Sequence, residues 1–235
     1  MPYLSRYWRR IWMQLSGIGL VGPIATRMAL IGMPPGFPRH ALAGLSSRGF
    51  ISNTATMDGD RIKTGKNIFI DDKVLISQEP QAGTVELSDR VKIHEDTHIL
   101  VGPGGSLEIG ADTSIHRGCQ IESYQASIKI GCRVEIAPRC AVQSFDHGMA
   151  PELPISKQPL TTKGPIFIEY DAWLGYGVIV LSGVCIGKGA VIGAGSVVTR
   201  DVPSGAIAVG VPARVVRMRA DRCQNKQPIK VVQKN

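Results

Sequence analysis

Between Ile166 and Val198 an aliphatic residue returns every six positions, at Ile168, Leu174, Val180, Ile186, Ile192 and Val198. A second apolar or small series, Ile166, Ala172, Val178, Val184, Ala190 and Ser196, runs two residues ahead of it, and Gly175, Gly187 and Gly193 follow three of the aliphatic positions. Six is neither the helical period nor the two-residue alternation of a strand. It fits short strands joined by tight corners, three to a triangular turn of about 18 residues, with the recurring aliphatic side chain inside. The small residue after it is expected at the bend, where glycine tolerates positive φ. Successive turns then hydrogen-bond to their neighbours and the prism grows by stacking.

The same phase is traceable upstream through Thr64, Ile70 and Ile76, then Leu87, Val91/Ile93 and Ile99. After Gly102-Pro103-Gly104-Gly105 it resumes at Ile109, Ile115 and Ile121, and after an offset near Gln125 at Ile130, Ile136 and Val142. Three hexads make a turn, so the series predicts about six turns, four before residue 143 and two after 166. The fold class is all-β, a parallel β-helix over residues 59–202, with an arm and connection in 1–58 and a cap and basic tail in 203–235. One long interruption, QSFDHGMAPELPISKQPLTTKGP at 143–165, breaks the repeat. A loop of that length in so regular a scaffold points to function.

In the arm, Leu4, Trp8, Ile11, Trp12 and Leu15 fall on one helical face and Arg6, Arg9 and Arg10 on the other. Two readings stay open: a helix lying on an anionic membrane surface, or one packing its tryptophans on the prism or a neighbouring subunit. Residues 16–33 are more apolar, but Gly17, Gly19, Gly22, Pro23 and Arg27 interrupt them, short of the roughly 20 apolar residues a spanning helix needs. No A-x-A-like cleavage site follows, so the arm is read as peripheral, in the cytoplasm or on the inner face of the membrane. Residues 34–53 are rich in Pro and Gly and suit an ordered connection into the prism.

Composition agrees with a thin prism, at 43% hydrophobic but only 6% aromatic residues. Five cysteines without paired spacing indicate neither a disulfide framework nor a zinc knuckle. The net charge of +8 raises anionic partners, with much of the excess in Arg6, Arg9 and Arg10 and in Arg214, Arg217, Arg219, Arg222, Lys226, Lys230 and Lys234. No nucleic-acid signature accompanies it.

The loop histidine followed by GPIFIEYDAWLGYGVIVLSGVCIGKGAVIGAGSVVTRDVPSGAIAVGVPARVVR resembles the hexapeptide-repeat acyltransferases. Within them it is similar to the sugar O-acetyltransferases of the galactoside, maltose and nodulation-factor type and their polysaccharide-modifying relatives. The likeness is close over residues 130–217, generic over 60–129 and absent over 1–58. It implies a left-handed prism, a homotrimer with active sites between subunits, and acetyl-coenzyme A as donor. His147 matches the general base, with Asp146 beside it to orient the ring or cap the turn, or to touch the acceptor. Trp173 matches a groove residue and Ala194 the small residue whose amide meets the pantetheine arm. Tyr176 stands at a coenzyme-contacting position that relatives fill with Ser or another small polar residue. Arg200, Arg214 and Arg217 match basic positions near the nucleotide phosphates. His116 and Arg117 lie near an acceptor contact.

Other chemistries lack their residues. A zinc site of the γ-carbonic-anhydrase kind needs three converging histidines, but His94 and His98 are four apart and His40 precedes the prism. Cys140 and Ser144 show no activating partner for covalent catalysis. The expected activity is acetyl transfer to a sugar hydroxyl of a polysaccharide precursor or glycolipid, without a metal. Acyl transfer to a small amine or amino acid hydroxyl, and a non-catalytic β-helix scaffold, are the alternatives.

Overall fold

The computed structural model describes residues 2–16, 18, 21–33 and 38–219; the predicted tail charges Arg222, Lys226, Lys230 and Lys234 lie outside them. It is a left-handed parallel β-helix. Three sheets form its walls. The first runs Phe50–Ile51, Phe69–Ile70, Lys92–Ile93, Ser114–Ile115, Glu135–Ile136, Trp173–Leu174 and Val191–Ile192, and ends on the hairpin Ala206–Gly210 and Ala213–Met218. The second, seven-stranded, begins at Thr56–Asp58, and the third at Ile62–Thr64.

Seven turns result, where the spacing predicts about six. The extra turn is the first, whose inward Ile51 and Met57 precede Ile70 and Ile76 in the ladders. Its surroundings, Ser52, Thr54, Thr56 and Asp58, are polar, so the six-residue signal is weak there.

Register explains the core. Ile93, Ile115, Ile136, Leu174 and Ile192 stack directly on one another, as do Ile99, Ile121, Val142, Val180 and Val198, and all ten are buried. Each aliphatic side chain therefore meets its counterparts one turn above and below, which buries apolar area continuously along the axis.

The corner glycines split into two jobs, and the predicted one belongs to the later residue. Positive φ falls two positions after the glycine that follows the aliphatic, at Gly177, Gly189 and Gly195, and in earlier turns at Asp96, Asp112 and Arg139. The glycine directly after the aliphatic is there because of crowding: a Cβ on Gly175 would lie 2.7 Å from the Ala194 nitrogen, and one on Gly187 2.5 Å from the Ser204 nitrogen.

The arm forms two helices, α1 (Pro2–Gln14) and α2 (Val21–Leu30), followed by a 3₁₀ segment at Arg39–Leu45. Met13, Ala29, Leu42 and Ala43 pack with Phe50 and Phe69, so the arm closes the N-terminal end of the prism. Among the described residues no helix is long and apolar enough to cross a membrane.

Candidate active site

The long interruption is an ordered hairpin. It leaves the second sheet after Ala141–Gln143 and returns to the third at Ile166–Ile168. Asp146–His147 pairs antiparallel with Leu160–Thr161. Its root is held by Ser144, whose buried hydroxyl accepts from the Tyr124 N–H at 3.0 Å and lies within hydrogen-bonding reach of the Tyr124 and Ala126 carbonyls, while Thr162 donates to the Ser144 carbonyl at 2.6 Å. Gln158 ties its tip by donating to the Ala150 and Leu153 carbonyls and accepting from the Ala150 N–H. Ser144 is thus a structural pin, and Cys140 is buried with its thiol against the Gly175 carbonyl at 3.2 Å.

Strand alternation separates Asp146 from His147. The Asp146 carboxylate accepts from Ser182 Oγ at 2.8 Å, which fastens the hairpin to the next turn. His147 is exposed, and among the described residues its ring has no hydrogen-bond partner.

The other candidates fall on different parts of the prism. His116, Arg117, Tyr176 and Ala194 line up on the edge between the first and second sheets, because each follows an inward residue of the first-sheet ladder by one or two positions. At the sixth and seventh turns this edge is stripped: Gly175, Gly177, Gly193 and Gly195 flank an exposed Ala194, and beyond Gly177 and Gly195 lies open space. Trp173 stands half-exposed on the first sheet beside a hollow of about 440 Å³ that it shares with Arg133, Asp171 and Arg219. Arg200 tops the edge from which the hairpin springs. Arg214 is exposed on the terminal strand, and Arg217 on that strand has a buried Nη1 without a partner among the described residues. Within one chain, then, His147 and the stripped edge sit on neighbouring corners with the second sheet between them.

A second polar cluster lies lower on the stripped edge. His94 stacks on His116 with centroids 4.9 Å apart, and a hollow of about 270 Å³ is lined by Asp71, His94, Glu95, His116 and Arg117. Arg39 reaches in to bridge Asp71 at 2.8 Å and Asp72 at 2.7 Å. His116 sits 3.7 Å from Glu135. The signal for His94 was available in the spacing, since it lies 22 residues before His116 just as Ile93 precedes Ile115. Burial, and then the neighbouring His116, push His94 down to about 4. Burial also raises the Asp71 carboxyl despite Arg39. Among the described residues no three His, Cys, Asp or Glu converge as a metal site.

The His94 shift has a stability consequence. The folded protein holds this ring neutral, the unfolded chain lets it charge near 6.5, and so its contribution is lost as pH falls from about 6.5 towards 4. Chemical denaturation should show about 2 kcal/mol less stability at pH 4.5 than at pH 7 from this group, and His94→Leu should remove that part of the slope. An unchanged slope in the variant would refute it.

The fold and loop together define a left-handed β-helix whose long hairpin presents an exposed histidine. No family model matches the chain. It is 37% identical over 153 residues to Rv3034c of Mycobacterium tuberculosis, named a probable acetyltransferase, covering 65% of this chain and 50% of that protein. It is 42% identical over 113 residues to nodulation protein L of Rhizobium meliloti (48% of this chain, 60% of that one) and 41% identical over 96 residues to galactoside O-acetyltransferase of Escherichia coli (41% and 46%). The chain thus spans about half the length of the curated relatives it matches. Among solved structures, the Bacillus cereus BC4754 product, an acetyltransferase by name, aligns with TM-score 0.57 and 26% identity over 72% of this chain and 88% of that one. The polysialic acid O-acetyltransferase OatWY shares the fold, with TM-score 0.52 and 22% identity over 70% and 84%. The curated relatives and structural neighbours of this chain are hexapeptide-repeat acetyltransferases.

Proposed function

We propose that the protein is an acetyl-coenzyme A-dependent O-acetyltransferase, working as a homotrimer on a sugar hydroxyl of a glycan or glycolipid. The observation that carries this reading is the ordered hairpin: it spends a buried serine, a carboxylate and a glutamine on presenting one exposed histidine. His147 takes the proton of the acceptor hydroxyl as its oxygen attacks the thioester carbonyl. The tetrahedral intermediate collapses, the carbon–sulfur bond breaks, and the imidazolium returns the proton to the departing thiolate. No covalent enzyme intermediate is needed.

A second copy supplies the missing wall. The hairpin tip leaves Met149, Leu153 and Ile155 exposed, as an apolar surface that a neighbouring subunit would cover. Its stripped edge, with Ala194 and Tyr176, would then hold the thin pantetheine arm beside the first copy's His147, with Trp173 as an apolar wall. Arg200, Arg214 and Arg217 suit the nucleotide phosphates, and the Arg217 Nη1 without a partner fits a ligand oxygen. His116 and Arg117, with the hollow below them, face the acceptor, while Asp146 acts on it only through the hairpin it fastens. Such a donor is a cytoplasmic metabolite, so the site faces the cytoplasm.

Thiol release from acetyl-coenzyme A, measured across sugars, lipid-linked glycans, small amines and amino acid alcohols, tests the reading. Release should depend on a sugar hydroxyl. Release with amines alone would move the chemistry to N-acylation, and no release together with no affinity for coenzyme A would leave a scaffold.

A further inference from the structure

The arm places its apolar residues the wrong way round for a cap that meets only water. Along α1 and the turn that follows it, Tyr7, Ile11 and Leu15 face outward, with Ile11 64% exposed, while Met13 is buried. In α2 the small residues Gly22, Ala25, Thr26 and Ala29 are buried, and Val21 and Ile24 in the helix and Ile31 just after it are exposed, Ile24 by 60% and Ile31 by 55%. A helix closing a globular domain shows the opposite arrangement. The two helices are nevertheless a built unit: Trp8 Nε1 donates to the Met28 carbonyl at 2.9 Å, and Gln14 donates to the Leu45 carbonyl at 2.9 Å.

Charge says what covers this face. Residues 1–57 contain Arg6, Arg9, Arg10, Arg27, Arg39 and Arg48 and not one Asp or Glu; the first acid is Asp58. Arg10 and Arg27 are exposed on the two helices, beside the apolar stripe. A second copy docking through the same face would set arginine against arginine with no carboxylate from either arm to answer it. A phosphate-bearing lipid surface answers both features at once, with acyl chains for the isoleucines and anionic headgroups for the arginines.

We propose that the α1–α2 hairpin docks the protein on an anionic lipid bilayer, the prism standing on its N-terminal end. The strand bearing His147 follows the fifth turn, four strand spacings above the first, which puts it roughly 19 Å up the axis. The consequence for substrate rests on the acetyltransferase reading: the acceptor is a glycan carried on a membrane lipid, with its modified sugar held some way out from the headgroups.

Flotation of the full chain with vesicles tests the docking and needs no activity. The protein should float with phosphatidylcholine containing about one-third phosphatidylglycerol, should stay in solution with phosphatidylcholine alone, and should be released by salt. Replacing Ile11, Ile24 and Ile31 together by Ser should lower partitioning about tenfold or more, and Arg10→Glu with Arg27→Glu should do so by a similar factor, both with unchanged thermal unfolding. Wild-type protein that stays in solution with the anionic vesicles, or variants that float as well as wild type, would overturn the proposal. So would an isoleucine variant of lower mass in light scattering, because the face would then be a subunit contact. A protein that floats but transfers no acetyl group would defeat the enzymatic reading and leave the docking in place.

Discussion

His147→Ala should lower turnover by about 10² to 10⁴, the usual worth of a positioned general base. Folding, oligomeric mass and coenzyme A affinity should be nearly unchanged, because the ring is exposed, makes no hydrogen bond among the described residues and lies outside the core. The hairpin itself should survive, since Ser144, Asp146 and Gln158 hold it and His147 does not. If chemistry is shown to limit the rate and the variant keeps more than about a third of wild-type turnover, the base is elsewhere, and His116 is the next residue to change.

The prism was legible in the sequence because its energetics repeat. Each wall contributes one inward aliphatic side chain per turn, and a slip by one residue would turn Ile136 or Leu174 to solvent, so the six-residue phase survives offsets such as the one at Gln125. The first turn was not legible, because Ile51 and Met57 sit among polar residues and behind a Pro- and Gly-rich connection. The glycine roles were interchanged for a related reason: sequence shows that small residues recur, but only the stacking of turns reveals that Gly175 avoids the Ala194 nitrogen whereas Gly177 takes positive φ.

The candidate site was legible as a set of residues and not as a place. His147 stood out as the histidine in the one long interruption, and Ala194 through the resemblance. Their separation onto different corners depends on how many residues each turn consumes, which varies from 18 between Leu174 and Ile192 through 23 between Ile70 and Ile93 to 38 between Ile136 and Leu174, where the hairpin is inserted. The His94–His116 stack went unrecognised because the two rings meet across turns. In the arm, α1 covers the stretch read as helical, but its buried side chain is Met13, which lies outside the apolar face drawn through Leu4, Trp8, Ile11, Trp12 and Leu15, while Ile11 is exposed.

The second large effect is expected at Ala194. Its edge is kept clear by glycines on both sides, so an indole there would fill the channel assigned to the pantetheine arm. Ala194→Trp should abolish detectable transfer by blocking the donor, leaving the core intact because residue 194 is exposed. Loss of activity with normal coenzyme A affinity would remove that edge from the donor site.

The most direct measurement combines the two dead variants. Subunits carrying His147→Ala and subunits carrying Ala194→Trp are co-expressed with different tags, and mixed oligomers are isolated and assayed for thiol release. If each site joins His147 of one copy to the Ala194 edge of the next, every mixed trimer keeps one of its three sites with both residues intact, and activity should return to about a third of wild type. Mixed oligomers as inactive as either parent would contradict a site shared between copies.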